Sequence, residues 1–301
     1  MAGELEEWRV RQWAAGVHHT AQGMRNKLRG TTREEVGPAE RFGFDILAPM
    51  RGRRPVARLE PIIHATAQHK RRWVFPAPYS FDAIVDSFQK LQQIHEPESE
   101  YQKAGAADYN HEVDQEIINA ALGTAMEGEQ SLTGVALPSS QVIAAGGTGL
   151  VLNKIVTARA QLGHQTNNEM EVYGPYYFVY DPLDIRYLFA QTKVTSADFV
   201  NVKALMSGEM VQGFLGFNWV ASNQLPLGVT AANVRNSLAY AKAGLGFGAN
   251  TAARKERAGE RNDITGHPMQ ISIFDQFGAV RIDDHLVIRV DIDTSAAVPT
   301  E

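Results

Sequence analysis

The residues with the clearest potential for chemistry lie close together on one predicted helix, at His111, Glu112, Asp114 and Glu116. His111 and Asp114 stand about one helical turn apart, a spacing at which two side chains can share a metal ion. Glu112 and Glu116 could act as paired carboxylates in acid–base chemistry. No third type of ligand lies nearby in the sequence, and exposed helix faces commonly carry such pairs. We therefore interpret these residues as a solvated polar face and not as a metal or catalytic site.

Two glycine-rich stretches and a histidine pair fall short of known binding motifs. AAGGTGLVLNK places Lys154 after glycines, but Ile155 follows it, so the GxxxxGK[ST] order of a phosphate-binding loop is absent. The GxGxG in AGLGFGAN lacks the βαβ setting and the downstream acid of a dinucleotide site. His18 and His19 are adjacent, so on a helix they point about 100° apart. We expect no nucleotide or metal at these positions.

The chain contains no GxSxG or HExxH motif. We predict no catalytic residue, no cofactor and no metal. Because a catalytic triad can be assembled in space without a linear motif, a soluble α/β enzyme stays open as an alternative.

Length and composition restrict the class of protein. The 301 residues suffice for one large domain or two ordinary ones and include no cysteine, which excludes disulfides, thiol nucleophiles and cysteine metal sites. There is no run of about 18 apolar residues, so no membrane helix is predicted. The start of the chain contains acids and arginines where a signal peptide would be apolar. We expect the protein in a cytoplasm or in a particle assembled there.

Charge is unevenly distributed along the chain. Residues 1–75 hold 14 Lys and Arg against 8 Asp and Glu, a net of +6, so the remaining residues carry −11 of the total of −5. A basic amino-terminal quarter on an acidic body indicates either contact with nucleic acid or docking onto an acidic neighbour. A solvated arm is the alternative.

The basic quarter divides into two predicted segments. Residues 1–30 form a weakly amphipathic helix whose Trp8 and Trp13 need a partner surface, because the segment alone cannot bury a face. In residues 31–75, the alternating stretches FGFDIL and VARLEPII flank PMRGRRP, which predicts a long hairpin with an arginine-rich tip. The tip arginines are Arg51, Arg53, Arg54 and Arg58. A basic hairpin lying on an acidic neighbouring subunit is the interpretation, since neither a recognition helix nor an aromatic ribonucleoprotein motif is present.

The rest of the chain predicts a mixture of helices and strands. In residues 76–105 the apolar residues have helical or mixed spacing, which is broken at Pro97. The clearest helix begins at about 106 and ends at about 123–125, and another is predicted at about 150–163. Near the end, MQISIF and HLVIRVDI read as strands joined by DQFGAVRIDD, whereas TAARKERAGERND reads as a charged loop. The fold class is therefore α+β.

One stretch, Met170–Pro226, reads as a surface made for assembly. VYGPYYFVY predicts a buried strand, DPLDIRYLF a short helix, and LGFNWVASNQLP a second strand ended by Asn223 and Pro226. The residues that mark its turn and strand are Gly208, Gly216, Phe217, Trp219 and Asn223. Nothing in it indicates catalysis.

The order of these segments resembles the major capsid proteins of tailed bacteriophages that have the Hong Kong 97-type coat fold. The resemblance is carried by the strand ending in Asp-Pro with its helix, by SADF, by the Leu-Met-Ser-Gly turn and by FLGFNWVASNQLP. It extends to the Gly-Ala-Val-Arg element ending at Arg281 and to the arginine-rich hairpin, and covers roughly residues 40–292. Some relatives cross-link subunits through a Lys and an Asn; this sequence offers Lys70 near the hairpin and Asn223 in the axial domain, and no cross-link is assigned to them.

The resemblance implies a division of the chain. It comprises an amino-terminal arm (1–30), an extended β-hairpin loop (31–75), a peripheral domain (76–165) with a spine helix at about 106–123, an axial domain (166–265), and return strands to the peripheral domain (266–301). Trp8, Trp13 and the four tip arginines would then contact neighbouring subunits.

The function implied is that of a coat subunit, assembled in the host cytoplasm and located in the virion. Its expected partners are itself, in pentamers and hexamers, a separate scaffolding protein, a portal, a decoration protein and non-specifically packaged double-stranded DNA, with no membrane. Alternatives are an encapsulin-like compartment shell, the soluble enzyme above, and a nucleic-acid-binding protein that uses the basic quarter.

Overall fold

The protein is described here by a computed structural model. The residues that the structure describes are 24–50, 52, 54, 64, 68–85, 97–129, 131–191, 212–229 and 231–298. They belong to two compact units: the first is Met1–Arg25, Ser80–His111 and Lys255–Phe274, and the second is Asn26–Tyr79, Glu112–Arg254 and Asp275–Glu301.

Helices and strands are mixed along the described chain. The helices are α1 (Pro97–Leu122), α2 (Leu152–Thr166), α3 (Met170–Tyr173) and α4 (Ile185–Phe189). The strands are β1 (Arg33–Gly37), β2 (Phe42–Leu47), β3 (His69–Val74), β4 (Ala77–Val85), β5 (Ala125–Glu127), β6 (Thr133–Val135), β7 (Val142–Ile143), β8 (Tyr176–Tyr180), β9 (Phe217–Ala221), β10 (Val234–Ala241), β11 (Leu245–Asn250), β12 (Lys255–Glu260), β13 (Met269–Arg281) and β14 (Val287–Asp293).

The first unit packs a helix against strands. It contains the amino-terminal part of α1, most of β4, and β12 paired antiparallel with the beginning of β13, from Lys255 opposite Phe274 to Glu260 opposite Met269. A side chain at Gly105 would place its Cβ 2.7 Å from the Phe81 ring. Glycine is required there because the helix and the ring approach so closely.

The main core of the second unit surrounds β10. This strand is buried along its whole length and pairs antiparallel with β14 on one side and β8 on the other, while β8 pairs in parallel with β9. Helices α2 and α4 contribute Ile155, Leu162 and Leu188 to the same core, all of them fully buried. β10 is therefore the central strand of its sheet, and both of its faces are buried.

A second sheet of this unit carries the base of the predicted hairpin. Its strand order is β2-β3-β5-β6. FGFDIL is β2, as predicted, but it pairs antiparallel with His69–Val74, from Phe42 opposite Val74 to Leu47 opposite His69. VARLEPII, predicted as the other strand of this hairpin, lies outside the described residues.

Gly246 and Gly248 of the GxGxG stretch lie in β11, which is a strand. Cβ atoms at Gly246 and Gly248 would lie 2.7 and 2.6 Å from the rings of Phe44 and Phe42. These glycines are two residues apart because successive residues on one face of a strand have that period. They let the aromatic side chains of β2 lie directly on the β11 backbone, which is a packing role.

Four other elements differ from the sequence prediction. Helix α1 begins at Pro97, where a break was predicted; proline is favoured in the first turn of a helix because its missing N–H would find no acceptor there. The region predicted to have helical spacing forms β4, whose exposure alternates along the strand, with Ile84 on the outward side. TAARKERAGERND includes β12, an exposed strand and not a loop. DQFGAVR continues β13 and does not join two strands.

Candidate functional site

The chemical candidates on α1 are separated by their burial. His111 and Glu112 are exposed, as the solvated-face interpretation expected, whereas Asp114 is buried at 3% exposure. Within the described residues, no group of three His, Cys, Asp or Glu side chains could hold a metal ion.

Asp114 binds the backbone of the segment that follows residue 26. Its Oδ2 accepts a hydrogen bond from the Lys27 N–H at 2.8 Å, and its Oδ1 accepts one from the Leu28 N–H at 3.0 Å. The Leu28 side chain is fully buried. A carboxylate that accepts from backbone N–H groups forms charge-assisted bonds, which are stronger than neutral ones. Asp114 therefore fixes the backbone of residues 27 and 28 to helix α1.

Further contacts hold the same segment in place. The Lys27 ammonium donates to the Ala221 carbonyl at 2.7 Å, beside the end of β9. The Thr31 hydroxyl lies 2.5 Å from the hydroxyl of the buried Tyr240. We call residues 27–31, with Asp114, the arm anchor. Trp8 and Trp13 lie outside the described residues, so their contact with other subunits stays a prediction.

Arg72 on β3 holds the base of the hairpin. Its Nη1 and Nη2 donate to the two carboxylate oxygens of Asp284 at 2.8 and 2.7 Å, and its Nε and Nη2 donate to Glu127 Oε2 at 3.2 Å. The side chain is 4% exposed. Two donors meeting two acceptors in one plane set orientation as well as distance.

Arg281, the last residue of the Gly-Ala-Val-Arg element, completes this network from the other side. Its Nη1 donates to the carbonyls of Ala121 and Gly123 at 3.1 and 2.7 Å, at the carboxyl end of α1. Its Nη2 donates to the Val135 carbonyl at 2.9 Å, and its Nε donates to Asp284 at 2.5 Å. The side chain is fully buried. A positive group at a helix carboxyl terminus also interacts favourably with the helix dipole.

We call Arg72, Glu127, Arg281 and Asp284 the hairpin anchor. Burial alone would raise the pKa of the Asp284 carboxyl, but the hydrogen bonds from Arg72 and Arg281 lower it below its ordinary value. For Arg72, burial would lower the pKa, and the Asp284 and Glu127 carboxylates raise it instead. Arg72 and Asp284 thus stay ionised together at neutral pH.

Replacing Asp284 with Asn should flatten the acid dependence of stability. The folded-state pKa of Asp284 lies below its ordinary value of 3.8, so its contribution is present above that pH and is lost as the pH falls through the folded value. The Asn amide would also direct N–H groups at an arginine, lowering the free energy of unfolding by about 2 kcal/mol at neutral pH. Urea unfolding midpoints measured across the acidic range test this.

Glu112→Gln, which changes an exposed carboxylate on α1, is the matched control and should leave the acid profile unchanged. An Asp284→Asn profile parallel to that of the wild type would contradict the role assigned to Asp284.

The outward face of the hairpin carries cations stacked on aromatic rings. The guanidinium carbons of Arg41 and Arg71 lie 5.8 and 5.3 Å from the centroid of the Trp73 ring. Arg71 also pairs with Asp45. Arg54 is exposed, and the other tip arginines, Arg51, Arg53 and Arg58, lie outside the described residues. The described part of this face is polar and open to solvent, apart from apolar Leu47 and Met50, which are each 57% exposed.

The turn and strand at Gly216–Asn223 serve mainly the core of their own chain. Trp219 packs against Phe178 with ring centroids 4.7 Å apart and the rings tilted by 36°, and Phe217 is fully buried. Gly216 has a φ of 74°, a backbone conformation that favours glycine. The strand ends at Ala221, before Asn223, which is exposed. Gly208 lies outside the described residues. Of this set, Asn223 is the residue whose surface is open to another molecule.

Sequence reasoning missed the functional importance of Arg72, Arg281 and Asp284. Arg281 was noted only as the end of a motif, and Arg72 only as one of many arginines. A signal was present, since an arginine that ends an apolar strand such as FGAVR needs a buried partner.

None of the described helices is long and apolar enough to cross a membrane.

Comparison with known proteins gives one family and many similar folds. A family model described as phage capsid protein matches residues 5–294. No curated protein matches the sequence. The fold is similar to the capsid of Ralstonia phage GP4, with a TM-score of 0.72 and 10% identity over 97% of this chain and 96% of that one.

Two other solved structures give the same result. The capsid asymmetric unit of cyanophage Pam1 has a TM-score of 0.71 and 10% identity, over 97% of this chain and 98% of that one. The capsid of the native GTA particle, computed with C5 symmetry, has a TM-score of 0.69 and 13% identity over the same shares, 97% and 98%. At these identities the likeness establishes the fold, and it confirms the expected α+β, Hong Kong 97-type coat fold.

Proposed function

The chain belongs to the phage capsid protein family and is a major capsid protein of a phage head, and from that premise we propose that its copies form an icosahedral shell around double-stranded DNA by exchanging arms and hairpins. The role is structural. The virion is its location, and we propose that assembly takes place in the host cytoplasm. Pentamers and hexamers are the proposed capsomers, because heterologous contacts that close into rings give such symmetry.

The observation that carries the proposal is the pair of anchors. Asp114 fixes the backbone at Lys27 and Leu28, and Arg72 fixes β3 at the base of the hairpin. Both are buried, polar and specific in direction, so each orients a segment that continues away from it. A fixed chain direction is useful when a segment must reach a neighbouring copy in a defined position.

Charge supports a role for the hairpin tip in contacts between copies. The first 75 residues carry +6 and the rest of the chain carries −11. A basic hairpin from one copy would therefore meet an acidic body on the next, which favours the correct pairing and speeds encounter. Arg51, Arg53, Arg54 and Arg58 supply the charge, while Trp8 and Trp13 supply apolar contact from the arm.

The family resemblance supports the remaining parts of the proposal. We assign residues 76–165 to a peripheral domain and 166–265 to an axial domain, with return strands in 266–301. A separate scaffolding protein, a portal and a decoration protein are the proposed protein partners. DNA would be held through its phosphates without base readout, so its retention should weaken as salt is raised.

The test is assembly of the full chain with Arg51, Arg53, Arg54 and Arg58 all changed to Gln. We expect the variant to fold as the wild type does but to sediment as free subunits or capsomers. The matched control changes Arg33, Lys103, Lys255 and Arg257 to Gln, an equal loss of charge at exposed positions. Assembly of the tip variant into wild-type particles would contradict the role of the hairpin.

The contents of the particles separate this function from that of a compartment shell. Nuclease-protected double-stranded DNA in particles made during infection supports the capsid function. Particles that enclose a specific protein and no DNA would support the encapsulin-like alternative instead.

A further inference from the structure

The glycine-rich stretch before α2 closes around a buried lysine. Lys154 lies in the first turn of α2, and only 7% of its surface is exposed. Its ammonium donates to the carbonyls of Ala145 and Thr148 at 2.8 Å, to that of Asp291 at 2.9 Å and to that of Gly149 at 3.2 Å. The sequence pattern that resembled a phosphate loop thus gives the opposite chemistry, a nest of carbonyl oxygens around a cation.

The buried first turn of α2 is an unfavourable place for a lysine ammonium unless the carbonyl oxygens stabilise its charge. The amino end of a helix repels positive charge, and burial lowers the pKa of Lys154 to about 8 against the attraction of the Asp291 and Asp293 carboxylates. The ammonium is nevertheless the form present at pH 7, since that pKa still lies above neutrality. Its oxygen partners replace the water that it lost, as backbone carbonyls do for potassium in a selectivity filter.

We propose that residues 145–149 and Asp291 form a binding site for a monovalent cation, which the Lys154 ammonium occupies permanently. Truncation of this side chain would open the site to a free potassium ion or primary alkylammonium ion. The contacting atoms are neutral carbonyl oxygens; divalent ions are better served by carboxylates and by octahedral geometry. The built-in cation holds the loop, α2 and β14 together without any ion from solution.

The loop geometry supports a preformed cage. Thr148 N–H donates to the Ala145 carbonyl at 3.1 Å, and Asp293 N–H donates to the Thr148 carbonyl at 3.0 Å, so two of the caging oxygens are also held by backbone hydrogen bonds. A Cβ at Gly149 would lie 2.2 Å from the Tyr187 ring, which locks the chain at that point. The oxygens therefore stay converged when the ammonium is absent.

The experiment is cation rescue of Lys154→Ala in the full chain. Alanine lacks the three remaining carbons and the ammonium of lysine, which n-propylammonium supplies. We expect the variant to have a lower melting temperature than the wild type. Propylammonium chloride, at a concentration well above its dissociation constant, should raise that melting temperature by about 3 °C or more. Potassium chloride should give a smaller increase. Tetramethylammonium chloride, which cannot donate, should give none.

Two variants control for general effects. Lys154→Met fills the space of the stem without a cation and should be destabilised but not rescued. Lys242→Ala removes a partly exposed lysine that donates to one carbonyl, that of Gly30 at 3.2 Å, and should show no cation-specific change. Equal stabilisation of wild type, Lys154→Met and Lys154→Ala by propylammonium would overturn the proposal, as would its absence in Lys154→Ala.

If Lys154→Ala does not fold alone, refolding in propylammonium and not in tetramethylammonium supports the site equally. If the variant refolds in neither salt, nitrogen-15 NMR of the Lys154 ammonium in the wild-type protein tests the cage instead. Nζ protons that exchange slowly at neutral pH support the cage, and rapid exchange overturns it.

Discussion

Arg281→Met should lower the free energy of unfolding by about 3–5 kcal/mol, the range measured when one member of a buried ion pair is removed. The change leaves the carbonyls of Ala121, Gly123 and Val135 without their donor and takes one of the two arginines from Asp284. Methionine fills much of the space, so the loss reports the polar contacts and not a cavity. Urea unfolding of the isolated subunit measures it.

Arg261→Met provides the matched control for this change. Arg261 pairs with Asp263, but both side chains are open to solvent, at 36% and 61% exposure, so the pair should contribute little to the free energy of unfolding. Arg281→Lys should fall between the two, because an ammonium cannot reproduce the planar fork of a guanidinium. If Arg281→Met and Arg261→Met were equally mild, the hairpin anchor would not be what holds the helix end, the sheet and the hairpin together.

Asp114→Ala should have the second largest effect, about 3 kcal/mol, since hydrogen bonds to a charged group contribute about 1.5–3 kcal/mol each and are not additive. The Leu28 N–H would be left buried without its acceptor. Segment 27–31 should then open more often. Trypsin should cleave at Arg25, Lys27 or Arg29 faster than in the wild type, at equal protease concentration.

Glu112→Ala controls for loss of a carboxylate from the same helix. Its side chain is exposed, so neither stability nor cleavage should change by more than a small amount. An Asp114→Ala variant with wild-type stability but faster cleavage would place the arm anchor outside the folding core. Unchanged cleavage as well would contradict the anchor itself.

Local pattern was enough to predict several elements of this fold. Strand β2 and helix α2 follow the periodicities of their sequences, and Asp181-Pro182 does precede α4. The family resemblance, read from the order of short motifs, predicted the Hong Kong 97-type coat fold, which periodicity alone could not have done. Order carries this information because each motif occupies one place in a chain path that relatives share.

Tertiary context decided the parts that pattern could not reach. Between β2 and its partner strand, His69–Val74, lie 21 residues, 48–68. Their sequence does not specify which later stretch pairs with β2. Gly246 and Gly248 reveal their purpose only beside Phe44 and Phe42, some 200 residues earlier. Glycines read locally suggest turns, yet here they provide room for rings.

The candidate site was still harder to predict, because its polar groups meet from distant positions. Arg72 and Asp284 are 212 residues apart, and Arg281 lies 146–160 residues from the carbonyls that it binds. The interpretation of Asp114 as part of a solvated face was wrong, because the side chain is buried and accepts from the backbone N–H groups of Lys27 and Leu28, which leave no trace in the side-chain sequence. Backbone acceptors and donors are the same at every residue, so such contacts appear only in the folded chain.

Cryo-electron microscopy of particles formed by the full wild-type chain, purified from infected cells or assembled with a scaffolding protein, tests the central claim most directly. The proposal predicts closed icosahedral shells in which the chain forms rings at five-fold vertices, with each arm and hairpin in contact with neighbouring copies. Double-stranded DNA should fill the mature particles. A chain that stays monomeric, or forms shells in which arm and hairpin fold back on their own subunit, would contradict it.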